Sequence, residues 1–259
     1  IFIGYSYYKG EVMNNVLTIV DVGAANGYLT ANWDSKVRLI TFEPDPRSAL
    51  DLEGPVNTHG DMVFNTALGS IEETKKLNLM RKKEVSSFLE PNRQYLNLFP
   101  DSERWDIVDK ISLSVKSLDS LKKKIGNIDF IKLDTQGTEL DILKGASKSL
   151  DCCLALEIEV EFLELYTGQP LFGDICNFLS HKGFEFYDFL TEYRYGRRKL
   201  DRKGQLAFAD ALFMRTPENI FDCFGKNPDK INKYLTICEH FGKTDLAEIV
   251  YDYKKCHND

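Results

Sequence analysis

The sequence lacks any long apolar run. No stretch approaches the roughly 18 residues that would span a bilayer, so no membrane span is expected. Positive charge is in short supply: Lys and Arg total 33 against 40 Asp and Glu, a formal net charge of -7. A general nucleic-acid binder presents a basic face, so nucleic acid is not an expected partner. The six cysteines form no C-x-x-C pair, and the four histidines supply no zinc spacing beside them. The cysteines therefore give no sign of a structural metal, and reduced thiols in a cytoplasmic protein are expected. Cys152 and Cys153, in an apolar run, read as core. The first residue is Ile1 rather than Met, so the chain is expected to be a trimmed piece, which leaves room for a leader or an upstream domain.

What is present is ordinary for a globular protein. The 259 residues are 43% hydrophobic and 28% charged, enough for one large α/β domain with or without an appendage. The informative stretch is Thr18 to Gly27, T-I-V-D-V-G-A-A-N-G. A β-branched run ending in Asp21 and Gly23 reads as a buried parallel strand turning sharply into a helix. Gly23 and Gly27 permit positive φ and close approach of a ligand. The helix is expected over 27–34 with Asn26 as its cap.

A second strand, 37–42, ends at Glu43-Pro44. Glu43 follows the glycine turn by about 20 residues, the spacing at which a carboxylate accepts both hydroxyls of a ribose. Strands are also expected over 61–68, 71–80, 111–115, 128–133, 154–162, 184–189 and 205–214. Helices alternate over 117–124, 140–150 and 171–182, the last ended by Gly183. Residues 81–109 are polar and irregular, with a helical piece near 92–98, as in a lid or binding loop. A basic loop, Arg194 to Lys203, joins the last strands. After Pro217 two or three amphipathic helices follow. The alternation predicts a doubly wound, mostly parallel sheet with an antiparallel last strand over residues 1–216, and a small helical appendage over 217–259.

Several stretches carry a family likeness. Residues 131–146, I-K-L-D-T-Q-G-T-E-L-D-I-L-K-G-A, strongly resemble the signature of the FkbM family of S-adenosylmethionine-dependent methyltransferases. In the same order come the D-V-G-A-A-N-G turn, F-E-P at 42–44, N-T-A-L-G at 65–69, S-L-D at 117–119, the acidic run 157–172 and A-D-A-L-F at 209–213. The resemblance covers roughly 18–215 and omits the helical tail. It implies a Rossmann-like methyltransferase sheet and S-adenosylmethionine as cofactor. It implies that Asp21, Gly23, Ala24, Asn26 and Gly27 line the methionine end, that Glu43 and Pro44 face the ribose, and that Asn65 and Ala67 lie near the adenine. Asp134 and Gly137 fall beside the transferable methyl. Gln136 stands where many relatives carry Glu, so it is not named catalytic.

Methyl transfer to a hydroxyl needs alignment, exclusion of water and a base. The candidate bases, in order, are Asp134, Glu159 and Asp210. Glu157, Glu159 and Glu161 crowd one strand. With Asp134 they offer hard oxygen ligands suited to Mg²⁺ or Ca²⁺, but a divalent metal is not the favoured reading. Ser86 and Ser87 are candidate substrate contacts, as are Arg197 and Arg198, whose guanidinium groups suit a phosphate or uronate. The resemblance implies an O-methyltransferase acting on a small-molecule or glycan acceptor. A neighbouring domain or a second copy is a candidate partner for the C-terminal helices. An NAD-type oxidoreductase shares the glycine turn and Glu43, though G-x-G-x-x-G is absent. A non-catalytic donor-binding module is the third reading.

Overall fold

A computed structural model describes residues 16–24, 33, 36–49, 59–197 and 204–257. The expected lead-in before residue 16, the helix over 27–34 and most of the basic loop lie outside the described residues, as do Asn26, Gly27 and Arg198.

Seven strands build the main sheet: β1 (Leu17–Val22), β2 (Val37–Phe42), β3 (Met62–Phe64), β7 (Phe130–Leu133), β8 (Ala155–Glu161), β9 (Phe184–Tyr195) and β10 (Gln205–Arg215). Their order is β3-β2-β1-β7-β8-β10-β9. The first five run parallel, and β10 pairs antiparallel with both β8 and β9. Every residue of β1 is buried, as expected of a parallel strand covered on both faces. The strand order reverses between β1 and β7. A ligand crevice opens at the carboxyl ends of such strands.

The strand expected over 61–68 is two strands. β3 joins the main sheet, whereas β4 (Ala67–Leu68) joins a small sheet of order β4-β6-β5. There β5 (Glu73–Met80) and β6 (Ile107–Lys116) form an antiparallel pair. The segment between them carries the short helix α2 (Arg93–Leu96), capped by the Asn92 side chain. Trp105, Phe99 and Leu96 tie this segment to Leu163, Tyr166 and Ala207 in a core of its own. It is a packed wall rather than a loose loop. The one-turn helices α1 (Pro46–Ala49) and α3 (Lys122–Ile125) follow β2 and β6, helix α4 (Glu139–Gly145) is shorter than the expected 140–150, and α5 (Phe172–Ser180) follows β8.

Residues 217–257 form α6 (Pro217–Phe224), α7 (Pro228–His240) and α8 (Thr244–His257). This is the expected C-terminal helical extension, and it packs on the sheet. Ile231, Tyr234, Ile237 and Val250 share a core with Leu17, Ile19, Phe130 and Met214 of the sheet. A buried ionic knot fixes this packing. Asp129, 1% exposed, accepts from the Thr18 amide at 2.9 Å, from Lys230 Nζ at 2.6 Å and from Lys233 Nζ at 3.0 Å. Arg215 adds a second tie, donating to the Cys153 and Leu150 carbonyls at 2.6 and 2.8 Å. No helix among the described residues is long and apolar enough to cross a membrane.

Removing one side of a buried charge network strands the other. Asp129→Ala is expected to cost about 3–5 kcal/mol of unfolding free energy, measured by denaturant titration. Removing the exposed pair of Lys110 with Glu90 by Lys110→Ala should change stability by no more than about 1 kcal/mol.

Candidate active site

The carboxyl ends of β1, β2 and β7 meet at one point. Gly23 has φ +84°, and a Cβ built there would lie 1.8 Å from the Asp134 carbonyl oxygen. Only glycine fits that approach. The Gly23 amide donates to the Phe42 carbonyl at 2.9 Å, and the Asp134 amide to the Val22 carbonyl at 3.0 Å. Glu43 is buried at the end of β2, its Oε1 accepting from the Asp45 amide at 2.8 Å. Burial pushes its carboxyl up to about 7, with the charges of Asp45, Asp134 and Asp21 adding to the shift and the Asp45 amide opposing it.

These residues open onto a cleft at the carboxyl ends of the strands. Gly23, Glu43, Pro44, Ala67, Ser86 and Asp134 line it, with Phe88 and Ile142 as apolar walls. Two expected contacts differ. Asn65 is exposed, and the wall at that position is Thr66 and Ala67. Gly137 lines a neighbouring groove that meets the cleft at Phe88 and Thr138. Ala24 is buried beside Gly23.

One face of the sheet carries a row of charge. Lys132 stands opposite Asp21 on one side and Glu157 on the other. Its Nζ lies 3.7 Å from Asp134 Oδ2. Desolvation pulls the ammonium down, but Asp134, Asp21, Glu157 and Asp210 together hold it above the usual lysine range. Burial pushes Glu157 up to about 7 against the pull of Lys132. Asp210 is raised by burial and by Asp134, and partly relieved by Lys132. Glu159, 7% exposed and opposite Asp210, is raised well above the carboxylate range by burial and by Asp134.

Gln136 joins the two leading acids. Its Nε2 donates to Asp134 Oδ1 at 3.0 Å and to Glu159 Oε2 at 2.6 Å. Its backbone has φ +57°, an uncommon conformation for a side-chain-bearing residue. Ser87 Oγ donates to its carbonyl at 2.7 Å, and Tyr166 contacts its Oε1 at 3.1 Å. Ser87 is therefore a strut, 1% exposed, and not a surface for substrate. Ser86 Oγ accepts from Arg47 at 2.8 Å and from the Met80 amide at 3.2 Å while lining the cleft. Arg197 is exposed near the end of the β9–β10 hairpin.

The buried carboxylates that come within 4.8 Å of one another are Glu139, Glu159 and Glu161. Among the described residues, Asp134 and Glu157 are not part of that cluster. Glu139 Oε1 is held by the Thr135 amide and hydroxyl at 2.7 and 2.9 Å, which shapes the loop after β7. Sequence reasoning missed Lys132 and Glu139. A lysine in the centre of the apolar strand I-K-L was the available signal, because a buried charge needs a partner.

The family model described as the methyltransferase FkbM domain matches residues 21–186. The chain belongs to the FkbM methyltransferase family. No curated protein is similar enough to match it. Among solved structures, methyltransferase FkbM from Methylobacillus flagellatus KT is 16% identical, with a TM-score of 0.44, covering 80% of this chain and 46% of that chain. Magnesium protoporphyrin IX methyltransferase from Synechocystis PCC 6803, solved with bound SAM, is 10% identical, with a TM-score of 0.37, covering 78% of this chain and 72% of that one. The chain thus spans less than half of the solved FkbM protein. The matched region of this FkbM domain begins at Asp21 and contains the cleft-lining residues named above.

Two outcomes follow for the domain. Gly23→Ala should lower unfolding free energy by at least ~2 kcal/mol, since it combines a positive φ with a backbone clash; denaturant unfolding measures it. Glu43 and Glu157 bind protons more tightly folded than unfolded, rising from 4.5 to about 7. Their stabilisation is complete below about pH 4.5 and is lost as pH rises through about 7. The melting temperature of the free protein should fall across that window, and Glu157→Gln should flatten the fall.

Proposed function

We propose that this FkbM domain transfers a methyl group from S-adenosylmethionine to a hydroxyl, of a sugar in a glycan or of a secondary metabolite. One observation carries the reading: the glycine cradle and Glu43 stand beside a pair of carboxylates joined through Gln136.

The chain's residues fit the donor. Gly23 leaves backbone open where a side chain would fill the turn, and Asp21 and Ala24 flank it. Glu43 would take the ribose hydroxyls, with Pro44 fixing the turn that presents it, and Ala67 with Thr66 would face the adenine. When bound, the donor supplies an electrophilic methyl on a sulfonium centre.

The protein's share is positioning and one proton. Asp134, whose side chain is 30% exposed, is the acid an acceptor reaches first. Gln136 holds it, and the same amide holds Glu159 behind it. The hydroxyl proton passes to Asp134, with Glu159 and Asp210 on the same face as further acceptors. Burial and the charge of Asp134 raise the proton affinity of Glu159 and Asp210, which suits acceptors working near neutrality. The sheet and the 81–106 wall exclude water.

S-adenosylhomocysteine should raise the melting temperature, and NAD should not. Stabilisation by NAD alone would overturn the reading. Glu43→Ala should weaken S-adenosylhomocysteine about tenfold or more in calorimetry, the effect of losing hydrogen bonds to a charged group. The ribose hydroxyls need the ionised carboxylate, so affinity should rise with pH and level off above about 7.

A further inference from the structure

Resting on the proposed donor site, we propose that Ser86 reads the donor's adenine through a hydrogen bond to a ring nitrogen, and that Arg47 is the positioning residue that holds Ser86 and Glu43 in one frame.

The frame starts at the turn after β2. The Asp45 amide donates to Glu43 Oε1 at 2.8 Å. Asp45 is itself buried. Its carboxylate accepts from the Arg47 amide at 2.9 Å, from Arg47 Nε at 3.0 Å and from Nη2 at 2.6 Å. The rest of the guanidinium leaves the turn and reaches the wall after β5. Nη1 donates to the Met80 carbonyl at 2.9 Å, and Nη2 to Ser86 Oγ at 2.8 Å. These partners lie 33 and 39 positions further along the chain. A planar fork can hold three acceptors in a fixed relation, which a lysine ammonium on a flexible stem cannot. The turn that presents Glu43 and the wall that presents Ser86 are thus joined through Arg47.

The consequence falls on the serine hydroxyl, which has two acceptor positions and one proton. Arg47 Nη2 and the Met80 amide fill the acceptor positions, the latter at 3.2 Å. Among the described residues, none accepts the proton. Ser86 is half-buried and lines the cleft with Glu43, Thr66 and Ala67. Its neighbour Ser87 turns the other way, to the Gln136 carbonyl. Whatever fills the cleft at Ser86 must therefore bring an acceptor. Ribose hydroxyls bring donors, which suit the Glu43 carboxylate. The adenine ring nitrogens only accept, and its exocyclic amine only donates. A proton offered from the cleft wall that also carries Thr66 and Ala67 complements a ring nitrogen.

Calorimetry with S-adenosylhomocysteine and its 1-deaza, 3-deaza and 7-deaza analogues tests this, because each analogue replaces one ring nitrogen by C–H. The wild type should bind one of the three about tenfold more weakly than the parent, the effect of one hydrogen bond left unmade. Ser86→Ala should bind the parent about tenfold more weakly and lose that discrimination, since the two changes remove the same contact. Arg47→Lys should weaken the parent by more than tenfold, because the turn presenting Glu43 loosens with Ser86, and should also erase the discrimination. A side chain that only supports folding would lower the melting temperature and leave the discrimination intact. Equal binding of all three analogues by the wild type overturns the adenine contact. An unchanged affinity in Ser86→Ala, or a discrimination that survives in it, overturns the role of Ser86. Discrimination retained in Arg47→Lys overturns the positioning role. Failure of S-adenosylhomocysteine itself to bind the wild type overturns the underlying reading instead.

Discussion

A sheet of buried strands cannot carry Asp21, Asp134, Glu157 and Asp210 on one face without a counter-charge. Lys132 supplies it from the middle of β7, the strand at which the order reverses. Its position opposite both Asp21 and Glu157 keeps the acids in register with the glycine turn. Desolvation alone would favour the neutral amine, and the surrounding carboxylates reverse that. Burial makes Glu157 and Asp210 hold protons more tightly than free carboxylates, against the pull of Lys132.

Much of this was legible in the chain. The buried β-branched runs gave the parallel strands, and glycine with acid at their ends gave the cleft. Gly23, Glu43 and Asp134, far apart in the chain, line one cleft. The small sheet was not legible as a sheet. Its β4 is only two residues long, and its longer strands alternate with charge, as an exposed hairpin would. The role of the C-terminal helices was also hidden. Their amphipathic pattern shows an apolar side, but only the tertiary contact of Lys230 with Asp129, 101 positions away, shows what covers it. Ser87 reads as a polar loop residue until the Gln136 carbonyl is seen to lie against it.

The wall between β5 and β6 bears on the site through few atoms. Ser87 and Tyr166 meet Gln136 from different parts of the chain, and Gln136 meets the two leading acids. Tyr166 also donates to the Val85 carbonyl at 2.7 Å. The uncommon backbone angle at Gln136 is thus held from both sides. Gly137 follows it with φ +96°, and together they turn the chain from β7 into α4. A motif recognised as a string of letters is, in space, the joint between β7 and the wall packed beside it.

The two ends of the main sheet are closed in different ways. At one end β3 offers only three residues, too short a template for another strand. At the other, β9 is twelve residues long and is broken by register shifts against β10. Glu185, Asp188, Glu192 and Arg194 stud its length. Irregular pairing and charge both discourage edge-to-edge association. Copies of the chain are thereby kept from fusing into a continuous ribbon along that edge, and the exposed Tyr193 ring sits on a strand too irregular and too charged to template another.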